Sequence, residues 1–188
     1  MALITDLGVD GNGIAQPKLK NRWRINFLGI AGDPDPLRVQ AVTFDRPKLE
    51  FAEIVLDRYN STAYIAGKHS FQPTNVVFED DVGGTVTKSV QDQINLQQQI
   101  IGNFPAPRLP AAIGGAIYKF AVRAEMLDGN DLVLEAWIIE GCYISSVDYE
   151  NLDYTANEAM KINLVLRFDQ ARQVITGVRV NATGGAGV

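Results

Sequence analysis

Residues 140–173, EGCYISSVDYENLDYTANEAMKINLVLRFDQARQ, hold two alternating runs around an acidic connection. In the second run Met160, Ile162, Leu164, Leu166 and Phe168 fall on one side, with Lys161, Asn163 and Arg167 on the other. In the first, Cys142 alternates with Ile144. Side chains of a strand point to opposite faces in turn, so each run predicts a strand with one face on a core. The connection carries Asp148, Glu150, Asp153 and Glu158, with Tyr149 and Tyr154 among them and no Lys or Arg between. It holds no His, Cys or Lys, and nothing in it looks arranged for chemistry. The stretch reads as part of a wall rather than a pocket, or as an ordinary solvated hairpin loop.

The same period extends outward. Trp23, Ile25 and Phe27 alternate with Arg22, Arg24 and Asn26; Tyr118, Phe120, Val122, Ala124 and Met126 alternate with Lys119, Arg123 and Glu125. Leu132 to Ile139, LVLEAWII, is apolar on both faces except at Glu135, which predicts a strand covered on both sides. The intervening LDGND lacks the acid spacing of a calcium loop and predicts a hairpin turn. One stretch breaks the pattern. GGTVTKSVQDQINLQQQIIGN, residues 83–103, puts Val86, Val90, Ile94 and Ile101 on one helical face and Gln91, Asp92, Asn95, Gln98 and Gln99 opposite. Thr85 is the expected N-cap, Gly102 the expected stop, and the helix over 85–101 would run about 24 Å. Residues 104–116, with three prolines and two glycines, predict a loop. The expected fold is mainly β: an antiparallel barrel or sandwich with one flanking helix. It forms one domain over 1–188, with an N-terminal arm (1–21), a core (22–173) and a C-terminal tail (174–188).

Composition removes several functions. The chain of 188 residues is long enough to bury about 70% of its unfolded surface. No apolar run reaches the ~18 residues of a membrane span, and the N-terminus does not read as a secretory signal. A net charge of −5 argues against gripping nucleic acid, which needs clustered cations on phosphates. The single histidine, His69, and single cysteine, Cys142, leave no triad and no zinc set. Cys142 reads as a small core residue. The acids Glu79, Asp80 and Asp81 sit where they favour the positive end of the helix, and Asp33-Pro34-Asp35 reads as turn chemistry. No cofactor, metal or catalytic residue is expected, and the chain does not read as an enzyme.

Residues 44–84, FDRPKLEFAEIVLDRYNSTAYIAGKHSFQPTNVVFEDDVGG, read differently. Leu49 and Phe51 face one way, and a phase shift at Ala52-Glu53, the mark of a bulge, would let Ile54 and Leu56 continue that face. Asp57, Arg58, Tyr59, Tyr64, Lys68 and His69 then crowd together in what reads as a long loop of interface composition.

With its RWRINFLG strand, this DRPKLEF segment, the FEDDVGGTV junction, and W-x-x-x-G-C-Y-I-x-S-V-x-Y-x-x-L-D-Y leading to RFDQA, the chain resembles tail tube proteins of contractile-tailed bacteriophages. The likeness runs from about Trp23 to about Gln173, and related tube proteins serve type VI secretion. It implies an antiparallel barrel, six copies of which close into a ring by joining sheets edge to edge. Rings stack into a tube inside a tail sheath, between baseplate and tail-terminator proteins. The tape measure protein and the transiting DNA occupy the lumen without specific binding. The implied site is the virion tail, assembled in the host bacterial cytoplasm. The resemblance further implies that residues 46–69 stack one ring on the next. Arg46, Lys48, Glu50, Phe51, Asp57, Arg58, Tyr59, Tyr64 and His69 would form that interface. Asp148, Glu150, Asp153 and Glu158 would then face the channel, where acid repels phosphate. The alternatives are a type VI tube subunit and a monomeric β-barrel that binds a small molecule.

Overall fold

A computed structural model of the protein describes residues 18–101, 117–128, 132–155 and 157–176. Two sheets share one strand. Strand β7 (Val133–Tyr149), 17 residues long, contributes its first half to a sheet ordered β1 (Trp23–Leu28), β6 (Phe120–Leu127), β7, β9 (Gln170–Thr176). Its second half heads the other sheet: β7, β8 (Lys161–Arg167), β5 (Thr74–Glu79), β2 (Ala41–Phe44). All pairings are antiparallel. The expected antiparallel, mainly β fold is the one formed.

The bend in β7 that allows this sharing is at Gly141. Its φ is +71°, a region only glycine enters freely, and Asp169 presses against the position a Cβ would take. On the same side of β7, β8 gives way to β9 across Phe168 and Asp169, so the ribbon turns as a unit.

The alternating faces expected of β1 and β8 point inward. Ile25, Phe27, Ile162, Leu164, Leu166 and Phe168 are buried with Phe78, Val76, Phe120 and Val122 between the sheets. Strand β6 starts two residues later than expected, at Phe120, and Tyr118 lies in the turn before it. Helix α2 (Thr85–Ile101) closes the sandwich with Val86 and Val90 fully buried and Ile94 packed beside them. Its N-terminus is held by Asp81: Thr85 N donates to Asp81 Oδ1 at 2.9 Å. Thr85 is therefore the first helical residue rather than the cap. Acidic residues do meet the helix start, as the charge pattern implied.

Two glutamines of α2 satisfy backbone groups of other elements. Gln93, fully buried, accepts from Ala31 N (2.8 Å) and donates to Tyr118 O (2.7 Å). Gln97 donates to Ile144 O and accepts from Ile144 N, both at 3.1 Å. Ile144 lies just past the last residue of β7 paired to β6, so the side chain covers an otherwise open strand edge.

Asp33-Pro34-Asp35 is more than a turn. Asp33 caps a short helix α1 (Pro34–Val39), accepting from Asp35 N at 3.1 Å, and Leu37 of that helix is fully buried. Gly32, just before it, lies so close to α2 that a Cβ would stand 2.5 Å from Ser89 Cα. The LDGND turn that follows β6 is described only at its ends, where Asp128 N donates to Leu132 O at 2.9 Å. The expected stop at Gly102, the loop 104–116, most of the N-terminal arm and most of the C-terminal tail lie outside the described residues. Strand β9 carries pairing to Thr176, three residues into the stretch read as tail.

Candidate assembly surface

Residues 46–69 are not a loop. They belong to a β-hairpin of β3 (Lys48–Arg58) and β4 (Ser61–Gln72), which forms a two-stranded sheet of its own. Valine, isoleucine, threonine and aromatic residues favour the extended strands, and Tyr59-Asn60 makes a two-residue turn between Arg58 and Ser61. Near the turn Thr62 Oγ1 donates to Asp57 Oδ1 (3.1 Å); near the root Gln72 Nε2 donates to Glu50 Oε2 (2.7 Å).

A register shift falls between Phe51 and Glu53, where a bulge was expected, but the extra residue is on β4, around Gly67 and Lys68. Strand β3 keeps its alternation. Leu49, Phe51 and Val55 therefore share one face with Phe71, His69 and Tyr64, while Ile54 and Leu56 share the other with Ile65 and Ala63. The expectation that Ile54 and Leu56 continue the face of Leu49 and Phe51 is corrected by this placement: the apolar residues divide between both faces.

Both faces are open to solvent. Phe51 is 60% exposed, Tyr64 68%, Ile54 49% and Ile65 50%, and Tyr59 at the tip is fully exposed. An isolated two-stranded hairpin is at best marginally stable in water, and exposed contiguous apolar patches mark interaction sites. Among the described residues the root is anchored: Phe71 meets the buried Phe168 with ring centroids 5.3 Å apart, and His69 then links Phe71 to Phe51. His69 is thus an exposed strand residue between two rings.

Lys48, Glu50, Phe51, Asp57, Arg58, Tyr59, Tyr64 and His69 are all exposed and brought onto this one element. Arg46 stands apart. It precedes β3, and its guanidinium lies 3.4 Å from Glu135 on β7. Glu135, only 4% exposed, also accepts from Lys18 Nζ (2.6 Å) and Trp137 Nε1 (2.5 Å). Burial pushes its carboxyl up, but the hydrogen bonds from Lys18 and Trp137, with the charges of Lys18 and Arg46, outweigh burial and hold it below its usual range. A second acid, Glu125, is buried beneath Arg24 and Arg123. Lys18, Arg24 and Arg123 thus each pair with a buried acid. The signal available was Glu135 itself, a lone acid in an apolar run.

Beside Arg46 lies a groove of about 560 Å³ lined by Trp23, Val42, Phe44, Met126 and Trp137, with Lys20, Asp45 and Arg46 on its rim. Both tryptophans of the chain line it.

The acidic set lies elsewhere, at the connection from β7 to β8. Asp148, Glu150, Asp153 and Glu158 are exposed. Glu150 accepts from Lys161 N (3.3 Å), and Asp153 accepts from both the N–H and the hydroxyl of Thr155 (2.9 Å each), bonds that hold its carboxyl below the usual range. Tyr149 is partly exposed and Tyr154 wholly so, so Tyr154 does not pack this turn onto its own core. Cys142 is fully buried with its thiol pushed up to about 12 by desolvation, as a core residue rather than a nucleophile would be. Among the described residues no cluster of His, Cys, Asp or Glu could hold a metal ion.

The fold is similar to that of proteins in contractile injection systems. The chain matches the anti-feeding prophage tube-terminating cap at a TM-score of 0.66, with 14% identity over 94% of this chain and all of that one. It matches a subunit of an extracellular contractile injection system sheath–tube complex at 0.56, again with 14% identity and covering 94% and 100%. In sequence it is 25% identical over 167 residues to the tail tube protein of Serratia phage KSP90, spanning 86% of this chain and 89% of that protein. No protein-family model matches. The similarities are to structural proteins, not to enzymes.

Proposed function

We propose that this chain is a tail tube subunit of a contractile phage tail. Six copies close into a ring, and rings stack through the β3–β4 hairpin into a tube within a sheath. Baseplate and terminator proteins bound the tube, and the tape measure protein and then the genome pass through it. The protein would be assembled in the host cytoplasm and carried in the virion. The observation that carries this reading is the hairpin: two faces of apolar side chains held in water on a fold shared with tubes. Such a surface is stable only when a neighbour covers it.

The acidic β7–β8 connection suits a channel wall. A basic lumen would add phosphate contacts at every ring and arrest the genome, whereas acid lets it slide. Asp148, Glu150, Asp153 and Glu158 are the residues assigned to that wall.

The test is electron microscopy of the purified chain beside Arg58→Glu. The parent should form rings or tubes with a central hole, and the variant should remain folded by circular dichroism but fail to elongate. Normal tubes from Arg58→Glu would remove the hairpin from the stacking interface.

A further inference from the structure

We infer that the hairpin tip of one copy seats in the two-tryptophan groove at the hairpin root of another copy. This rests on the reading of the hairpin as an assembly surface and adds the surface that receives it.

The separation of the two parts requires a second molecule. Phe44, Asp45 and Arg46 line the groove, and β3 begins two residues later. Eleven strand residues then carry the chain about 36 Å away, at ~3.3 Å per residue, before Tyr59 is reached. A tip cannot return to its own root. A contact between unlike patches on two copies is heterologous, and where its rotation does not close, as from one ring to the next, it repeats along the stack.

The chemistry of the two parts fits. Tyr59 is fully exposed and flanked by Arg58 and Asp57. The groove offers two indoles and the Phe44 ring, with Trp23 and Phe44 centroids 6.4 Å apart, as faces for an aromatic ring and a guanidinium. Lys20 and Arg46 in its lining carry charge opposite to that of Asp57, and Asp45 and Glu125 carry charge opposite to that of Arg58. Its volume lies within the ~300–1,000 Å³ typical of binding pockets. Other described depressions suit the tip less well. The one beside Gln97 is bordered by Gln98, Ser145 and Ser146, and the one under β1 holds no tryptophan and its arginines are already paired with Asp35 and Glu125.

The experiment pairs Tyr59→Cys with Val42→Cys in the full chain, since Val42 is exposed in the groove and native Cys142 is buried. Mild oxidation of the assembled protein should give a ladder of covalent multimers that reducing agent dissolves. Tubes that form without a ladder overturn the docking site while leaving the hairpin's role in stacking intact. Tubes that also form from Arg58→Glu overturn the underlying reading. Ladders from Tyr59→Cys alone would place tip against tip and overturn the inference. If the double variant does not assemble, the parent chain still decides: filling the groove must shift tryptophan emission to the blue on assembly, and unchanged emission overturns the inference.

Discussion

Gly141→Ala should be among the most damaging single-methyl changes in the molecule. The backbone there has φ +71°, and placing an L-residue in that region costs about 1–2 kcal/mol. The new Cβ would also stand 2.2 Å from Asp169 Oδ2 and 3.0 Å from Asp169 Cβ. Relief requires the carboxylate to swing away and give up its 2.6 Å bridge to Lys119. Because Asp169 is mostly exposed, that bridge contributes less than about 1 kcal/mol, and the crowding adds roughly another 1–2. The total, about 2–5 kcal/mol, would lower a urea midpoint by about 1–2.5 M at a typical slope near 2 kcal/mol/M. Unfolding should be followed by circular dichroism at concentrations where light scattering shows a monomer. Adding Asp169→Ala should recover the part of the crowding due to the carboxylate and leave the backbone part and the 3.0 Å contact with Cβ. A Gly141→Ala midpoint within experimental error of the parent would refute the idea that this bend holds the two sheets on one strand.

Gln97→Ala removes both hydrogen bonds to Ile144 and opens that strand edge; it should cost about 1–3 kcal/mol and speed amide exchange at Ile144, and unchanged exchange would count against the edge-covering role. Asp81 is held below the usual carboxylate range first by its bond from Thr85 N–H, so its contribution is present above about pH 4 and is lost as pH falls through its folded value. Thermal melts of Asp81→Asn should therefore lie below the parent at pH 7 and converge with it near pH 2. Cys142, pushed up to about 12, should ignore a thiol reagent at pH 8 until denaturant is added. Its raised value means that the thiol's contribution is full below about pH 8.5 and fades as pH climbs toward 12, so alkaline melts of Cys142→Ala should decline less steeply over that range.

What could be read in the chain without coordinates was local. Alternation at Trp23–Phe27 and Ile162–Phe168 set which side chains face inward, because strand geometry imposes period two wherever the strand ends up. The helix over 85–101 and the acids at its start followed from spacing and charge over a few residues. The irregularity near Ala52 was visible too, though not the strand that bears it.

Tertiary structure decided the rest, because it depends on partners distant in sequence. Glu135 is buried rather than solvated only because Lys18 and Arg46, 117 and 89 residues away, converge on it. Gly141 becomes a bend rather than a break because Asp169 and β9 follow β7 around the corner. The apolar residues of β3 and β4 carry the composition of a core strand, yet no described element of their own chain covers them. An apolar pattern records that a side chain leaves water. Whether the neighbour that shields it belongs to the same chain or to another copy is settled only by where the folded elements stand.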